Sequence, residues 1–166
     1  MIKRTGLILF ICCMTFFCGC GKDKKLEEYN EAITTFNANV AEITSTMENI
    51  DTGSESAEEE LLVCLDRMQT EFEGLAALEV PSKFSSVESL ADEAGTYMTE
   101  AVSLYHEVFE AEEFQEEKAN AANENYSRAM KRISYISSLL KGELPKGDDI
   151  EISEEDALDF APIEEE

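Results

Sequence analysis

An all-α fold, an antiparallel up-down four-helix bundle with a disordered acidic C-terminal tail, is what the sequence predicts, and three observations predict it. Apolar residues recur at steps of three and four through most of the chain, the spacing that keeps one helical face against a partner. The three prolines, at 81, 145 and 162, all fall outside those periodic stretches, as they must if the stretches are helices. Beyond residue 142 the period is lost and carboxylates crowd the sequence.

The bundle occupies residues 26–141. Its first seam runs through Leu26, Tyr29, Ile33, Phe36, Val40, Ile43, Met47 and Ile50. Asp51-Thr52-Gly53-Ser54 ends it, with Gly53 suited to a left-handed cap. Ser56 and Glu59 have capping-box spacing for a second helix whose seam is Leu61, Leu65, Met68, Phe72 and Leu75. Val80-Pro81 stops that helix, because the residue before a proline is pushed out of the helical region. Ser85 and Glu88 have the same capping-box spacing before a third seam through Val87, Ala91, Ala94, Met98, Ala101, Tyr105 and Val108. A fourth passes through Ala119, Ala122, Tyr126, Ala129, Ile133, Ile136 and Leu140, and closes at Lys141-Gly142 with Pro145 beyond.

The third and fourth seams are in phase, so a single helix over 84–141 is the alternative. At ~1.5 Å per residue it would approach ~90 Å, more than two shorter helices can cover. Glu112 and Gln115 occupy the two seam positions between them, which predicts a turn near 110–116. Four segments of similar length then follow, the requirement of an up-down bundle. The core expected from the seams includes Ile33, Phe36, Val40, Leu65, Met68, Phe72, Met98, Tyr105, Ile133 and Ile136.

Residues 142–166 combine many carboxylates with few apolar side chains, a composition that cannot fund a core and predicts disorder. Within them Leu158, Phe160 and Ile163 form an apolar strip on an acidic background. It is either part of a solvated tail or a docking element for a basic, grooved protein partner. An EF-hand is excluded, since the tail lacks the spaced Asp/Asn ligands and central glycine of that loop.

The first twenty residues say where the bundle works. Lys3 and Arg4 precede an apolar run from Leu7 to Phe17, then Phe17-Cys18-Gly19-Cys20. Two cations hold the N-terminus on the cytoplasmic side while the apolar run enters the bilayer. The run falls short of the ~20 apolar residues of a permanent span, so it reads as a segment cleaved after a small residue. The succession resembles a bacterial lipoprotein signal ending in its lipobox. That resemblance implies a signal peptide over residues 1–19, lipidation of Cys20 (palmitate among its acyl chains), and attachment to the extracytoplasmic face of the cell membrane. An ordinary signal peptide or an uncleaved anchor is the alternative, and either also exports the domain. Residues 20–25 then form a lipidated basic tether, in which Lys22, Lys24 and Lys25 can each attract anionic lipid by ~1 kcal/mol. The layout of lipidated cysteine, helical hairpin, and Val-Pro-x-x-Phe opening a second hairpin is similar to that of small helical lipoproteins of bacteria, particularly Gram-positive ones. The similarity implies no site residues beyond Cys20.

Charge and cysteine usage agree with export. Loss of residues 1–19 takes the net charge from −24 to −26, since Lys3 and Arg4 leave and no acid goes with them. Such a surface repels phosphate backbones, which excludes nucleic acid as a partner. Four of the five cysteines lie at or before Cys20. Cys64 remains, flanked on its face by Leu61, Leu65 and Met68, and reads as a small buried hydrophobe.

Catalytic patterns are missing from the sequence. His106 is the single histidine, so neither a His-based zinc cluster nor a paired Glu-x-x-His di-iron site can be assembled; it reads as a boundary residue four positions from Glu110. No glycine-rich phosphate loop or Gly-x-Ser-x-Gly elbow occurs. Glu112, Glu113, Glu116 and Glu117 read as a solvated helix end, and Tyr97, Tyr105, Tyr126 and Tyr135 as core or boundary residues. The sequence therefore predicts no enzyme, cofactor or metal. It predicts a membrane-anchored binding or scaffold lipoprotein, with a small-ligand or cation-binding envelope protein, its site made of tyrosines and carboxylates between helices, as the alternative.

Overall fold

The computed structural model describes residues 20–80, 84–141, 143–145 and 147. Four α-helices make up the described residues, α1 (Cys20–Glu48), α2 (Ala57–Ala76), α3 (Ser85–Phe109) and α4 (Glu116–Leu139), with no strand among them. The third and fourth segments are separate helices. Polar Glu112 and Gln115 cannot continue the apolar stripe, and the chain turns between Phe109 and Glu116.

The seams form one core. Tyr29, Ile33, Phe36, Val40 and Ile43 of α1 meet Cys64, Leu65, Met68, Phe72 and Leu75 of α2. From the second half come Val87, Leu90, Ala91, Ala94, Met98 and Val102 of α3 and Ala129, Ile133, Tyr135, Ile136 and Leu139 of α4. Phe36 and Phe72 pack edge to face, ring centroids 5.2 Å apart and planes at 71°, an arrangement that sets the positive edge of one ring on the negative face of the other. Gly95 lets α2 come close to α3: a Cβ there would stand 3.3 Å from that of Ala76 and 3.5 Å from the Phe72 carbonyl.

Eight members of the expected seams are only half-buried: Leu26, Met47, Ile50, Leu61, Tyr105, Ala119, Tyr126 and Leu140. Tyr105 is half-buried, whereas the other nine expected core residues are buried. In α4 the buried face carries Arg132, Tyr135 and Leu139, so the last turn buries Leu139 and leaves Leu140 at the boundary. A helix turns 3.6 residues per revolution, and a strict heptad seam drifts off the buried face along a straight helix.

The helix ends also correct the sequence reading. Ser56 precedes α2 but makes no side-chain cap, because its backbone is αR (φ −93°, ψ −2°) and not in the extended region a capping residue takes; its hydroxyl donates instead to the Glu60 carboxylate at 2.6 Å. Phe84 precedes α3 and Ser85 is already its first helical residue, again without a side-chain cap. Gly53 does not take a left-handed conformation. The Asp51 carboxylate accepts from the Gly53 amide at 3.0 Å, an Asx turn that reverses the chain without positive φ. Helix α2 ends at Ala76, before Val80-Pro81, as the amides of Ala77 and Leu78 fold back on Glu73 and Leu75 carbonyls.

Cross-helix polar pairs follow a simple order. Along α1, Lys25, Asn39 and Glu42 meet Glu79, Glu71 and Arg67 in turn. His106 of α3 meets Asp66 of α2, while Glu107 and Glu93 of α3 meet Lys118 and Arg132 of α4. In α1/α2 and in α3/α4, numbers rise along one helix as they fall along the other.

Candidate functional site

Cys20 is the first residue of α1. Residues 20–25 are thus helical and run without a break into the packed part of α1. Lys24 pairs with Glu28 at 3.0 Å and Lys25 with Glu79 beyond the end of α2. The hydrogen bond each lysine donates to its glutamate partner raises the lysine's pKa, and Lys25 in turn lowers that of Glu79. These lysines therefore tie α1 to itself and to the α2–α3 junction. Both pairs are exposed and screened by solvent, so each adds little to stability.

Beside them a cleft of about 150 Å³ is lined by Lys25, Glu28, Tyr29, Ala32, Leu78 and Glu79. Tyr29 is 3% exposed, and its hydroxyl has no hydrogen-bond partner. Burial pushes its pKa up to about 12, so the phenol keeps its proton at any ordinary pH.

A second polar constellation spans α3 and α4. Arg132, 5% exposed, donates from Nε to Glu93 at 2.6 Å. Its guanidinium lies 5.6 Å from the Tyr97 ring centre and 5.8 Å from that of Tyr135, and Arg128 approaches Tyr97 from one turn earlier, at 5.7 Å. An arginine can be buried here because a carboxylate and two ring faces replace its hydration. Burial raises the pKa of Tyr126, with Thr44 of α1 pulling it back in part, and raises that of Tyr105 with a further push from Tyr126.

No protein family model, curated protein or solved structure matches this chain.

The remaining sequence candidates are accounted for as follows. His106 Nε2 sits 2.7 Å from Asp66 Oδ1, and Nδ1 lies 3.9 Å from Glu110, so the imidazole links α2 to α3. Cys64 is buried and free. Glu112, Glu113, Glu116 and Glu117 are exposed. Among the described residues no group of His, Cys, Asp or Glu could hold a metal ion, and no helix is long and apolar enough to cross a membrane. The proposed signal peptide, Leu158, Phe160 and Ile163 lie outside the described residues.

Sequence reasoning missed the Arg132–Glu93 pair, the Tyr29 hydroxyl and the exposure of Phe114. Arg132 adjoins seam residue Ile133, and Glu93 and Tyr97 occur at i and i+4 on α3, a spacing that puts them on one face. Phe114 is 76% exposed in the α3–α4 turn; no periodicity bears on a turn residue.

Proposed function

We propose that this protein is a lipid-anchored extracytoplasmic lipoprotein, a non-enzymatic binding or scaffold module built as an up-down four-helix bundle. The observation that carries the reading is the continuity of α1 from Cys20 to Glu48, joined to a signal-like sequence that ends at that cysteine. A lipid on Cys20 then holds the bundle by a helix end. At ~1.5 Å per residue the far end of α1 stands ~42 Å from the anchor. The order of the cross-helix pairs supports the up-down path, which brings the turns at 49–56 and 110–115 together at that far end.

That end is what the bundle would present. No lysine or arginine occurs between Glu48 and Glu60 or between Glu110 and Glu117. Exposed carboxylates of Asp51, Glu55, Glu112 and Glu113 surround the turns, with Phe114 among them. A basic protein with a small apolar recess fits this chemistry. The tail strip of Leu158, Phe160 and Ile163 is the second proposed element of partner recognition.

Substituting Cys20→Ser is expected to move the protein from the membrane fraction to the soluble fraction with its melting temperature unchanged, because Cys20 precedes the apolar seam that starts at Leu26. Retention at the membrane would contradict the anchor. Truncation after Gly142 is expected to leave the melting temperature nearly unchanged. Photo-crosslinking in intact cells from positions 114 and 160 tests the scaffold role: a discrete protein adduct that weakens as salt screens the charges supports it, and the absence of any adduct from both positions contradicts it.

A further inference from the structure

The chain carries a net charge of −24, yet from Asn125 to Gly142 it holds Arg128, Lys131, Arg132 and Lys141 and no acidic residue. Three of these cations are gathered where α4 meets α3. Arg128 and Arg132 lie 5.7 and 5.6 Å from the Tyr97 ring centre, and Lys131 and Arg132 lie 5.6 and 5.8 Å from that of Tyr135. Arg132 is buried between the two rings, while Arg128 and Lys131 are exposed and within reach of an incoming anion. We propose that the acidic segment 148–156 of this same chain folds back along α4 and docks on Arg128 and Lys131. The contact is separate from the anchor and from the tip at Phe114, and it leaves Leu158, Phe160 and Ile163 beyond it.

Three observations select this occupant. First, the charges are complementary: the segment carries Asp148, Asp149, Glu151, Glu154, Glu155 and Asp156. The other run of cations, Lys22 to Lys25, has Glu27 and Glu28 directly after it, and Lys24 and Lys25 already sit on carboxylates. Second, a ring face orients a cation without neutralising it, so Tyr97 and Tyr135 hold these cations in place with their charge intact. Third, the path fits. The chain is still half-buried at Pro145 and Gly147, so it has not left the bundle where the acidic run begins. Seven residues lead from Lys141 to Asp148 and can span ~24 Å. Lys131 lies only ten residues back along α4 from Lys141, a distance of ~15 Å. Because the segment is tethered, its local concentration is in the millimolar range, and weak, exposed charge pairs then suffice for docking. Such pairs add little to stability, in keeping with the small effect expected of truncation after Gly142.

The test uses the full chain in phosphatidylcholine nanodiscs, with a spin label on a cysteine introduced by Ile152→Cys. The same chain without that substitution, treated alike, gives the background. Relaxation of backbone amides by the label reports proximity. Docking is expected to put the strongest enhancement on the amides of Arg128 to Arg132 and to reach Tyr97 of α3. A tail that moves freely would act most on Lys141 and fade steadily back along α4. Raised salt, which screens the charges, is expected to cut the enhancement at Lys131 at least threefold. Arg128→Glu combined with Lys131→Glu is expected to do the same at low salt, and both side chains are exposed, so the bundle should keep its melting temperature. Lys118→Glu makes the same kind of charge change near the other end of α4 and is expected to have no effect. Enhancement that is strongest at Lys141, or that falls on Lys24 and Lys25 in place of α4, overturns the proposal. A pattern indifferent to salt overturns it as well, and the salt series needs no substitution in the strip. None of these outcomes bears on the anchor or on the tip at Phe114.

Discussion

Replacing Phe72 by alanine is expected to lower the stability of the domain by about 3–5 kcal/mol. The ring has no exposed surface and meets Phe36 edge to face, so truncation loses both its transfer from water and a specific aromatic contact. The walls around it cannot easily close: α2 and α3 already approach to backbone distance at Gly95, and the neighbouring side chains are themselves buried. A loss of this size is a large part of the ~5–15 kcal/mol that holds a domain together. Urea unfolding measures it directly. Val63→Ala on the same helix is the control, because Val63 is 53% exposed and its loss should stay within about 0.5 kcal/mol. Comparable midpoints for the two variants would mean that the α2 seam is not the buried face.

Removing the carboxylate of Glu93 is expected to be the next most damaging change. It leaves the Arg132 guanidinium between two tyrosine rings without its 2.6 Å acceptor. Breaking a fully buried ion pair costs about 3–5 kcal/mol. The Glu93 side chain is 43% exposed, so water can take its place in part, and Arg132 keeps further contacts. About 2–3 kcal/mol is the corresponding expectation for Glu93→Ala. Arg132→Met should cost less, because it strands no buried charge: the glutamate left behind turns to solvent and the methionine packs against Tyr97 and Tyr135. The order of the two variants is the sharper test. If Arg132→Met were the more destabilising, the pair would not carry the burial described here.

The helices were legible because helix formation is written in local spacing. The seams of Phe36, Phe72 and Ile133 sit on the buried faces, and two polar residues at seam positions were enough to locate the α3–α4 turn without a glycine or proline. Helix ends were less legible. Ser56 has every feature of a capping-box serine in sequence, yet its backbone turns to αR before the helix begins, which takes its hydroxyl away from the first-turn amides. Gly53 was read through its own conformational freedom, while the turn is made by the side chain of Asp51. The buried arginine was illegible for a different reason: its tolerance depends on Glu93 and Tyr97, about forty residues away, and no rule of local spacing brings them together. The Tyr29 hydroxyl is the same case in reverse. A tyrosine in an apolar seam signals burial, but whether its oxygen finds an acceptor depends on the side chains of the other helices.

The central claim is that the bundle is held to a membrane through a lipid on Cys20, and it fixes which end of the molecule faces outward. Intact mass and N-terminal sequence of the protein extracted from the membrane fraction of an exporting bacterial host test it most directly. The account predicts a chain that begins at Cys20, lacks residues 1–19 and carries the added mass of a diacylglyceryl group. A chain that retains Met1, or a lipid-free product that begins at any other residue, would contradict it.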